Sequence, residues 1–345
     1  MTVRMPAEWE RQCAVLLAWP NGATDWACML EDVQECYRRI VEAIVDGSDQ
    51  AVIIISPCVD EAAQRLRHID KSRIIYLSIP INDTWTRDYG AISVETGDGG
   101  YLVRDFGFNA WGGKFEACLD NLVTRRMAQA GVFGFPVTDI GEMVLEGGSI
   151  ESDGRGCIMA TERCLLNPNR NPSLTRGDIE ARLRSALGAE KVLWLRHGRI
   201  AGDDTDGHID TLARFAPGNT ILHVSCDNPA DEQFGELRQM ETDLREFTDT
   251  QGKQFKLVPL PMPRAIHNSD GSRLPATYAN FLVTNGSVLV PTYGQPDCDA
   301  EAVRIICEAF PGRQVVGVDC RALIEQRGSL HCSTMQFPEG VIKIE

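Results

Sequence analysis

The sequence lacks any uninterrupted apolar run close to the roughly twenty residues that a membrane-spanning helix requires. Its opening segment, residues 1–9, also lacks the basic stretch followed by an apolar stretch that marks a secretory signal peptide. These absences exclude the sequence patterns of an integral membrane protein and of a secreted protein. We therefore expect a cytoplasmic protein that does not act at a membrane.

Basic residues are scarce relative to acidic ones. The chain has 34 Lys and Arg residues against 49 Asp and Glu residues, which gives a formal net charge of -15. Such a charge repels phosphate backbones and anionic lipids, so nucleic acid is not an expected partner, whereas a cationic small molecule would be attracted. Acidity also simply keeps many proteins soluble, so charge alone identifies no ligand.

Metal-binding motifs are missing as well. The chain contains no His-Glu-x-x-His segment and no Cys-x-x-Cys pair, and Gly202 stands where a calcium loop aligned on Gly207 would require Asp. We expect no required metal ion. The 12 cysteines are scattered through a chain too long to need disulfides for stability, and we interpret them as reduced thiols.

Short apolar segments typical of strands alternate with segments typical of helices along the whole chain, which predicts an α/β protein. The candidate strands are 51–56, 73–77, 91–94, 156–160, 191–194, 220–224, 255–259, 281–284, 287–291 and 314–318. The candidate helices are 29–45, 60–67, 120–130, 173–187, 229–248, 300–309 and 320–324.

A loose regularity of about 50 to 70 residues accompanies this alternation, because a polar loop with a reactive side chain recurs at that spacing. The loops lie near Asp88, Glu146, His208, Asn280 and Cys332. The regularity predicts repeated units around an axis, each delivering a residue to one central cavity. Two doubly wound domains are the alternative, but neither a linker nor a glycine-rich strand-to-helix turn is visible. We expect residues 1–345 to form a single domain.

Cys332 is the strongest candidate for a reactive thiol. It lies in a polar stretch, residues 328–334, whereas Cys307 lies in a mainly apolar segment and is typical of a structural cysteine. A thiol attacks as its thiolate, so Cys332 requires a cation or a base within reach. From this local sequence alone, an inert buried thiol is an equally good alternative.

His208 follows three acids, Asp203, Asp204 and Asp206, and Asp210 comes two residues later. In an extended segment this spacing puts His208 and Asp210 on the same face, where both could enter one cavity. The nearby carboxylates would keep the imidazole protonated near neutral pH, as a proton donor requires. The alternative is a histidine that only forms a hydrogen bond at the start of a strand.

Asp88 and Trp85 supply a carboxylate and an aromatic face within four residues. A planar cation could stack on Trp85 while two oxygens of Asp88 hold it. The alternative is a buried tryptophan beside a surface ion pair between Arg87 and Asp88. Glu146 precedes two glycines at 147–148, which allow close backbone approach, and on its own it would not be singled out.

Eight segments that span nearly the whole chain resemble, in order, the motifs of the agmatine deiminases. They are Met-Pro-Ala-Glu-Trp-Glu at 5–10, Trp-Pro at 19–20, Trp-Thr-Arg-Asp-Tyr-Gly at 85–90, Phe-Gly-Phe-Asn-Ala-Trp-Gly-Gly at 106–113, Leu-Glu-Gly-Gly-Ser-Ile at 145–150, Asn-Pro-Asn-Arg-Asn-Pro at 167–172, Gly-His-Ile-Asp at 207–210 and His-Cys at 331–332. Agmatine deiminases belong to the wider bacterial peptidyl-arginine deiminase-like family.

The resemblance implies the pentein fold, a single catalytic domain built as a propeller of about five ββαβ units around a pseudo-fivefold axis. It also implies the roles of individual residues. Cys332 would be the nucleophile, His208 the general acid and base, and Glu146 its carboxylate partner. Asp88 and Asp210 would bind the guanidinium group of a small cationic substrate. This chemistry requires no cofactor.

The far end of the site decides which guanidine is bound. Trp85 would form part of the wall beside the substrate. Agmatine ends in an ammonium group, which the acidic cluster around Asp204 favours, whereas arginine carries a carboxylate there. Two departures from the agmatine deiminase pattern weaken this preference. Asp204 and Asp206 replace the usual Glu and Asn, and Arg327, in a loop that is usually glycine-rich, could pair with a substrate carboxylate.

The predicted reaction is the deimination of agmatine to N-carbamoylputrescine and ammonia through a covalent intermediate on Cys332, as in polyamine biosynthesis. A deiminase for free or peptidyl arginine, an amidinotransferase and a non-catalytic pentein that binds partners stay open as alternatives. A papain-like protease is disfavoured because its cysteine would precede its histidine. The sequence does not decide the oligomeric state, and a homo-oligomer is one of the alternatives.

Overall fold

A computed structural model describes residues 2–344, and the strands of this part of the chain form five separate sheets. The first sheet contains Val3–Arg4, Ile92–Thr96, Tyr101–Gly107 and Val137–Val144, and the second contains Lys191–Leu195, Cys157–Thr161 and Ile150–Ser152. The third contains Ala213–Ala216, Thr220–Val224 and Lys256–Leu260, and the fourth contains Leu282–Val283, Ser287–Thr292 and Gln314–Asp319. The fifth contains Met335–Pro338, Gln12–Ala18, Ala51–Ser56 and Ile74–Ser78.

Each sheet is built on the same pattern, which the third sheet illustrates. Ala213–Ala216 pairs antiparallel with Thr220–Val224, and the chain then forms the helix Phe234–Glu246 before it returns as Lys256–Leu260, parallel to Thr220–Val224. A helical crossover is needed here because parallel neighbours cannot be joined by a tight turn. The predicted α/β pentein propeller of about five ββαβ units is thus confirmed.

The longer helices are Leu30–Gly47, Asp60–Arg65, Val123–Gln129, Arg176–Leu187, Phe234–Glu246 and Pro296–Ala309. Leu30–Gly47 shows why such segments form helices, since Val33, Tyr37, Ile40 and Ile44 recur at helical spacing and are all buried. This face packs against strands of the fourth and fifth sheets. Over residues 2–344, no helix has the length and apolar character needed to cross a bilayer.

The position of the site follows from the repeat. The first strand of each unit begins a few residues after one of the polar residues singled out in the sequence. Asp88 precedes Ile92–Thr96, Glu146 precedes Ile150–Ser152, Asp210 precedes Ala213–Ala216, Asn280 precedes Leu282–Val283 and Cys332 precedes Met335–Pro338. Equivalent loops of successive units therefore meet at one place, which explains how residues far apart in sequence come together.

Candidate active site

A cavity of about 260 Å³ lies where these loops meet. Four of the predicted site residues line it: Trp85, Asp88, Asp204 and Cys332. The other three, Glu146, His208 and Asp210, are fully buried. His208 lies beside Asp88, Asp210 lies beside Cys332, and Glu146 contacts His208.

Cys332 is almost fully buried in the floor of the site. Its Sγ lies 3.4 Å from Asn280 Oδ1 and 3.9 Å from Asp210 Oδ2. Asn280 Oδ1 also accepts the backbone N–H groups of His331 and Cys332, at 2.9 and 3.3 Å, and so holds the cysteine loop in place. Burial and the charges of Asp210 and Asp88 raise the pKa of Cys332 well above its usual value. The unliganded site therefore holds a neutral thiol.

His208 lies between two carboxylates. Its Nε2 is 3.0 Å from Glu146 Oε2, and its Nδ1 is 3.6 Å from Asp88 Oδ1. Burial lowers the pKa of His208, but the charge of Asp88 and the hydrogen bonds with Cys164 and Glu146 raise it by more, so the net pKa is well above the usual value. The imidazole is thus protonated at neutral pH. Among the described residues, Nδ1 has no hydrogen-bond partner.

Glu146 is held on its other side by Arg170, whose Nε lies 2.9 and 3.1 Å from the two carboxylate oxygens. Burial raises the pKa of Glu146, but His208 and Arg170 together lower it further, which keeps the carboxylate ionised. Glu146, Cys164 and His208 also offer ligand atoms within 4.8 Å of one another. A metal ion there would compete with the Arg170 guanidinium for Glu146, so this donor set suits an ion pair better than a cation site.

Asp88 is bound at both oxygens. Trp111 Nε1 donates to Oδ2 at 2.8 Å, and the backbone N–H of Gly148 donates to Oδ1 at 3.0 Å. Burial raises the pKa of Asp88 to about 6, although the charge of His208 opposes the rise. A Cβ on Gly148 would lie 2.7 Å from His208 Nδ1, 2.8 Å from Asp88 Oδ1 and 3.0 Å from Asp210 Oδ2. Only glycine can therefore stand between these three side chains.

The segment that carries His208 and Asp210 is not extended, so this prediction was wrong. Residues Ile209–Thr211 form a 3-10 turn with His208 as the preceding residue. Both side chains still reach the site because the turn lies at the propeller axis. Asp210 Oδ2 lies 2.8 Å from Nδ1 of His331, whose Nε2 lies 2.7 Å from Glu8 Oε2. Asp210 Oδ1 is buried and has no partner in the described part of the chain.

The three acids of the cluster predicted at the far end of the site have different contacts. The carboxylate of Asp203 accepts the backbone N–H of Thr205 at 3.1 Å, and Asp206 forms a salt bridge of 3.0 Å with Lys114. Only Asp204 lines the cavity. The prediction that these acids keep His208 protonated was therefore wrong, because that role falls to carboxylates from other loops.

Asp204 and Arg327 face each other at the mouth. Arg327 Nε lies 3.9 Å from Asp204 Oδ2, and its Nη1 donates to the Gly202 carbonyl at 2.7 Å. Burial and the charge of Asp203 raise the pKa of Asp204 to about 6, against the effect of Arg327. Asp204 is therefore ionised at neutral pH, and the Arg327 guanidinium is already bound on the protein side.

Trp85 forms one wall of the cavity, as predicted, and it is 5% exposed. Its ring packs against Trp26 with centroids 5.7 Å apart. A Cβ on Gly328 would lie 2.2 Å from the ring of Trp85, so the glycine lets the loop before Cys332 lie directly on the indole. The Arg87–Asp88 surface pair does not form, because both side chains are buried.

Residues 4–338 match the family model described as Porphyromonas-type peptidyl-arginine deiminase. The chain belongs to this family. The chain is therefore an enzyme, a deiminase that hydrolyses the C–N bonds of guanidino groups.

Relatives of this deiminase are named either as agmatine deiminases or as an arginine deiminase. A Vibrio parahaemolyticus protein provisionally named agmatine deiminase is 35% identical, and the match covers 96% of each chain. A cysteine-to-serine variant of the C. jejuni agmatine deiminase, solved with substrate bound, has a TM-score of 0.91 at 35% identity over 98% of this chain and 97% of its own. A Porphyromonas gingivalis structure provisionally named arginine deiminase has a TM-score of 0.94 at 46% identity over 99% and 100%.

Three contacts of the deiminase site did not emerge from the sequence as functional. They involve Arg170 against Glu146, Trp111 against Asp88, and His331 against Asp210. Each of the three residues lies inside a motif that the resemblance rests on, and that membership was the available signal. Arg170 and Trp111 lie 24 and 23 residues from their partners, and His331 lies 121 residues from Asp210 in a different unit, so no local pattern could reveal these contacts.

Proposed function

We propose that this deiminase hydrolyses agmatine to N-carbamoylputrescine and ammonia through a covalent intermediate on Cys332. The observation that carries the proposal is the convergence of one thiol, one protonated imidazole and two carboxylates around a single cavity. His208 Nδ1 lies 3.6 Å from Asp88 Oδ1, and Cys332 Sγ lies 3.9 Å from Asp210 Oδ2. These four groups match what attack on a guanidinium carbon requires.

Substrate binding uses the two carboxylates. A guanidinium is planar and has five N–H donors, and its strongest recognition is by carboxylate oxygens in its plane. Asp88 is ionised above about pH 6, and Asp210 Oδ1 is a buried acceptor without a donor in residues 2–344. A guanidinium held between them would satisfy both carboxylates and fix its carbon beside the Cys332 sulfur.

The first half of the reaction forms the covalent intermediate. The charges of Asp88 and Asp210 contribute to the raised pKa of Cys332, and a bound guanidinium offsets both, so the thiol releases its proton to solvent when substrate arrives. The thiolate then bonds to the guanidinium carbon, and His208 protonates one amino group. Ammonia leaves as the C–N bond breaks, which gives an amidino thioether on Cys332 and a neutral His208.

The second half releases the product. Neutral His208 takes a proton from water, and the resulting hydroxide bonds to the amidino carbon. The C–S bond then breaks and releases the Cys332 thiolate, which takes the hydroxyl proton and becomes a neutral thiol again, while the carbon becomes a ureido carbonyl. Glu146 keeps His208 oriented through both proton transfers because it bonds Nε2 and leaves Nδ1 beside Asp88, which lines the cavity.

The mouth of the cavity supports agmatine as the substrate. Four acids line it beyond Asp88: Asp25, Asp83, Asp204 and Glu325. Arg327 is the one cation in the lining, among the residues that the structure describes, and it already contacts Asp204. The charge at the mouth is therefore negative overall, which favours an ammonium tail over a carboxylate.

Free arginine is the second candidate. Arg327 offers a guanidinium at the mouth that could turn towards an α-carboxylate, and the Porphyromonas gingivalis structure at 46% identity carries an arginine deiminase name. Arg327→Gln separates the candidates. It should lower kcat/KM for arginine about tenfold or more if arginine is the substrate, and leave agmatine turnover unchanged or faster if agmatine is.

Release of ammonia from agmatine, arginine and a peptidyl-arginine, together with release of ammonia or dimethylamine from dimethylarginine, tests the substrate directly. We expect agmatine to exceed arginine in kcat/KM by at least about 100-fold, since like charges at the mouth cost several kcal/mol. Asp204→Asn should reduce this preference. Equal or reversed kcat/KM values would refute the proposed preference for an ammonium tail at the mouth of the cavity. Consumption of the guanidino substrate only when an amine acceptor is added would identify an amidinotransferase.

Labelling tests the covalent step. A haloacetamidine should modify Cys332 and no other of the 12 cysteines, because only this thiol lies beside a guanidinium-binding pair. Cys332→Ala should abolish turnover and keep the fold, whereas Cys307→Ala, at an exposed position, should change neither. Inactivation with the label on another cysteine would contradict the assignment, and a wild-type protein without turnover would point to a non-catalytic pentein.

A further inference from the structure

The loop that carries Trp111 has an unusual backbone. Four successive residues have φ in the left-handed region, with values of 50° for Ala110, 55° for Trp111, 90° for Gly112 and 79° for Gly113. Their backbone closes a helical turn of left-handed sense, since Gly113 N–H donates to Asn109 O at 2.7 Å and Lys114 N–H to Ala110 O at 3.0 Å. This conformation is unfavourable for any residue with a Cβ, so it persists only where its surroundings impose it.

The surroundings of the turn do impose it. The side chain of Asn109 accepts the Gly112 N–H at 2.9 Å and donates to the Asn169 carbonyl at 2.9 Å. A Cβ on Gly112 would lie 2.9 Å from Asn169 Cβ and 3.3 Å from Arg170 Nη1, so the turn packs tightly against the loop that holds Glu146. The turn is thus pinned from one side, and its tryptophan projects towards the cavity.

The turn places the indole of Trp111 so that it donates one hydrogen bond to Asp88. Trp111 is 6% exposed, and its Nε1 donates to Asp88 Oδ2 at 2.8 Å. The other oxygen of Asp88 accepts the Gly148 N–H at 3.0 Å, so the indole and the backbone together fix the plane of the carboxylate. The ring of Trp111 also lines the cavity beside the reacting groups.

We propose that Trp111 is a positioning residue for deimination, and that it acts by orienting the Asp88 carboxylate towards the substrate guanidinium. The inference rests on the proposed function and extends it, because it assigns to Trp111 the orientation of the carboxylate that binds the substrate. Strained backbone is common where a precise geometry is needed, and here the strained segment donates a hydrogen bond to the carboxylate proposed to bind the substrate.

A role limited to filling space is the rival explanation, and the two make different predictions for pH. The titratable groups that face Asp88 are His208, Asp210, Glu146 and Cys332. The indole hydrogen bond is one of the contacts that favour the ionised carboxylate. Its loss should therefore raise the pKa of Asp88 and move the acidic limb of kcat/KM to higher pH, whereas a change in packing alone should not.

Trp111→Phe keeps an aromatic ring in the wall and removes the N–H. We expect kcat/KM with the best guanidino substrate to fall about 10- to 100-fold at neutral pH, and its acidic limb to rise by about one pH unit. The matched control is Trp194→Phe, since Trp194 Nε1 also donates to a carboxylate, Glu180, at 2.7 Å but lies outside the cavity. An acidic limb that stays in place in Trp111→Phe would overturn the proposal.

A pair of glycine variants covers the case in which Trp111→Phe does not fold. Gly112→Ala and Gly113→Ala impose the same left-handed strain, but no described atom lies within 4 Å of a Cβ on Gly113. We expect Gly112→Ala alone to displace the turn from Asn169 and to reproduce the pH shift. Equal behaviour of the two variants would count against the proposal.

Binding measurements separate this inference from the proposed function. Agmatine affinity for Cys332→Ala, followed by calorimetry as a function of pH, reports Asp88 without any turnover. The added Trp111→Phe change should weaken that affinity about tenfold or more and shift its acidic limb upward. Absent turnover in the wild type would defeat the proposed function, while an unshifted binding profile would defeat the role of Trp111.

Discussion

Single residues set the charge balance on which the site depends. Around the cavity, ionised Asp88 and Asp210 face the buried thiol of Cys332, and both raise its pKa. In the proposed mechanism a cationic substrate is therefore needed to generate the Cys332 thiolate, as well as to provide the reacting carbon. An empty site is protected from oxidation and alkylation for the same reason, because neutral thiols react slowly.

The proposed mechanism predicts a pH dependence of the reaction that is set by two of these groups. Asp88 must be ionised to accept the guanidinium, and burial raises its pKa to about 6, so kcat/KM should fall as the pH drops through that value. His208 must be protonated, and its pKa is well above the usual value, so activity should persist past neutral pH before it declines. Steady-state rates across this range check both limbs. An acidic limb near pH 4, the ordinary carboxyl value, would contradict the burial effect.

At this scale the sequence was a good guide to which residues meet and a poor guide to what surrounds them. Cys332, His208, Glu146, Asp88 and Asp210 lie together, although their catalytic roles stay predictions. The contact of His208 with Glu146 was expected from the family resemblance, but the approach of Asp88 to the other ring nitrogen was not, because it joins residues of different units. Adjacent acids in sequence are used instead to cap their own loop and to pair with nearby cations.

At the scale of elements, helix ends carry part of the specificity of the fold. The helix Arg176–Leu187 begins with a capping box formed by Thr175 and Asp178 and ends at Gly188, which has φ of 77°. A Cβ on Gly188 would lie 1.9 Å from the Val3 carbonyl oxygen, so the first strand of the chain packs directly on the end of this helix. A side chain there must displace backbone.

Gly188→Ala should consequently lower the free energy of unfolding by more than Gly312→Ala does. Both glycines have positive φ, which costs alanine about 1–2 kcal/mol, but around Gly312 the described structure has no atom within 4 Å of a Cβ. The clash should add about 1–3 kcal/mol at Gly188. Urea denaturation of the two variants measures the difference, and equal losses would show that the contact with Val3 relaxes without cost.

Element boundaries illustrate what patterns can and cannot predict. The strands Ala51–Ser56 and Thr220–Val224 begin and end at the predicted residues, since both are short, continuously buried and mainly apolar segments. The predicted helix 320–324 was wrong, because only a 3-10 turn, Leu323–Gln326, forms there. Strands such as Tyr101–Gly107 were missed, because mixed polar residues hide their two-residue period.

At the scale of the whole molecule, buried ion pairs connect the units. Arg214 is fully buried and contacts Glu8 at 2.7 Å and Glu151 at 3.0 Å. It also donates to the carbonyls of Ala279 and Phe281, at 3.2 and 2.6 Å. These partners come from the amino-terminal segment and from the second and fourth units. One guanidinium therefore ties several sheets together beneath the site.

Arg214→Met should destabilise the protein by about 3–5 kcal/mol, because it leaves two buried carboxylates without their cation. The control is Arg304→Met, since Arg304 also pairs with two acids, Glu301 and Glu308, but on an exposed helix surface. Its loss should cost less than about 1 kcal/mol. Thermal and chemical denaturation compare the two variants, and similar losses would contradict the structural importance of the buried network.

The fold as a whole was predictable to the extent that it repeats. Periodic polar loops and the ordered motifs pointed to about five units, and the five sheets confirm them. That residues 1–345 act as one catalytic domain, in the cytoplasm and without metal or cofactor, stays a prediction. Assembly into a homo-oligomer is untested as well, since periodicity within a chain says nothing about its partners.

The strand that completes the fifth sheet has a consequence for biosynthesis. Met335–Pro338 pairs antiparallel with Gln12–Ala18, and Cys332 lies just before it. While the ribosome is still making the protein, the fifth sheet stays incomplete and Cys332, the proposed nucleophile, has not yet been added. If Cys332 is the nucleophile, completion of the fifth sheet and completion of the active site are therefore one late event, so an incomplete nascent chain cannot turn over substrate.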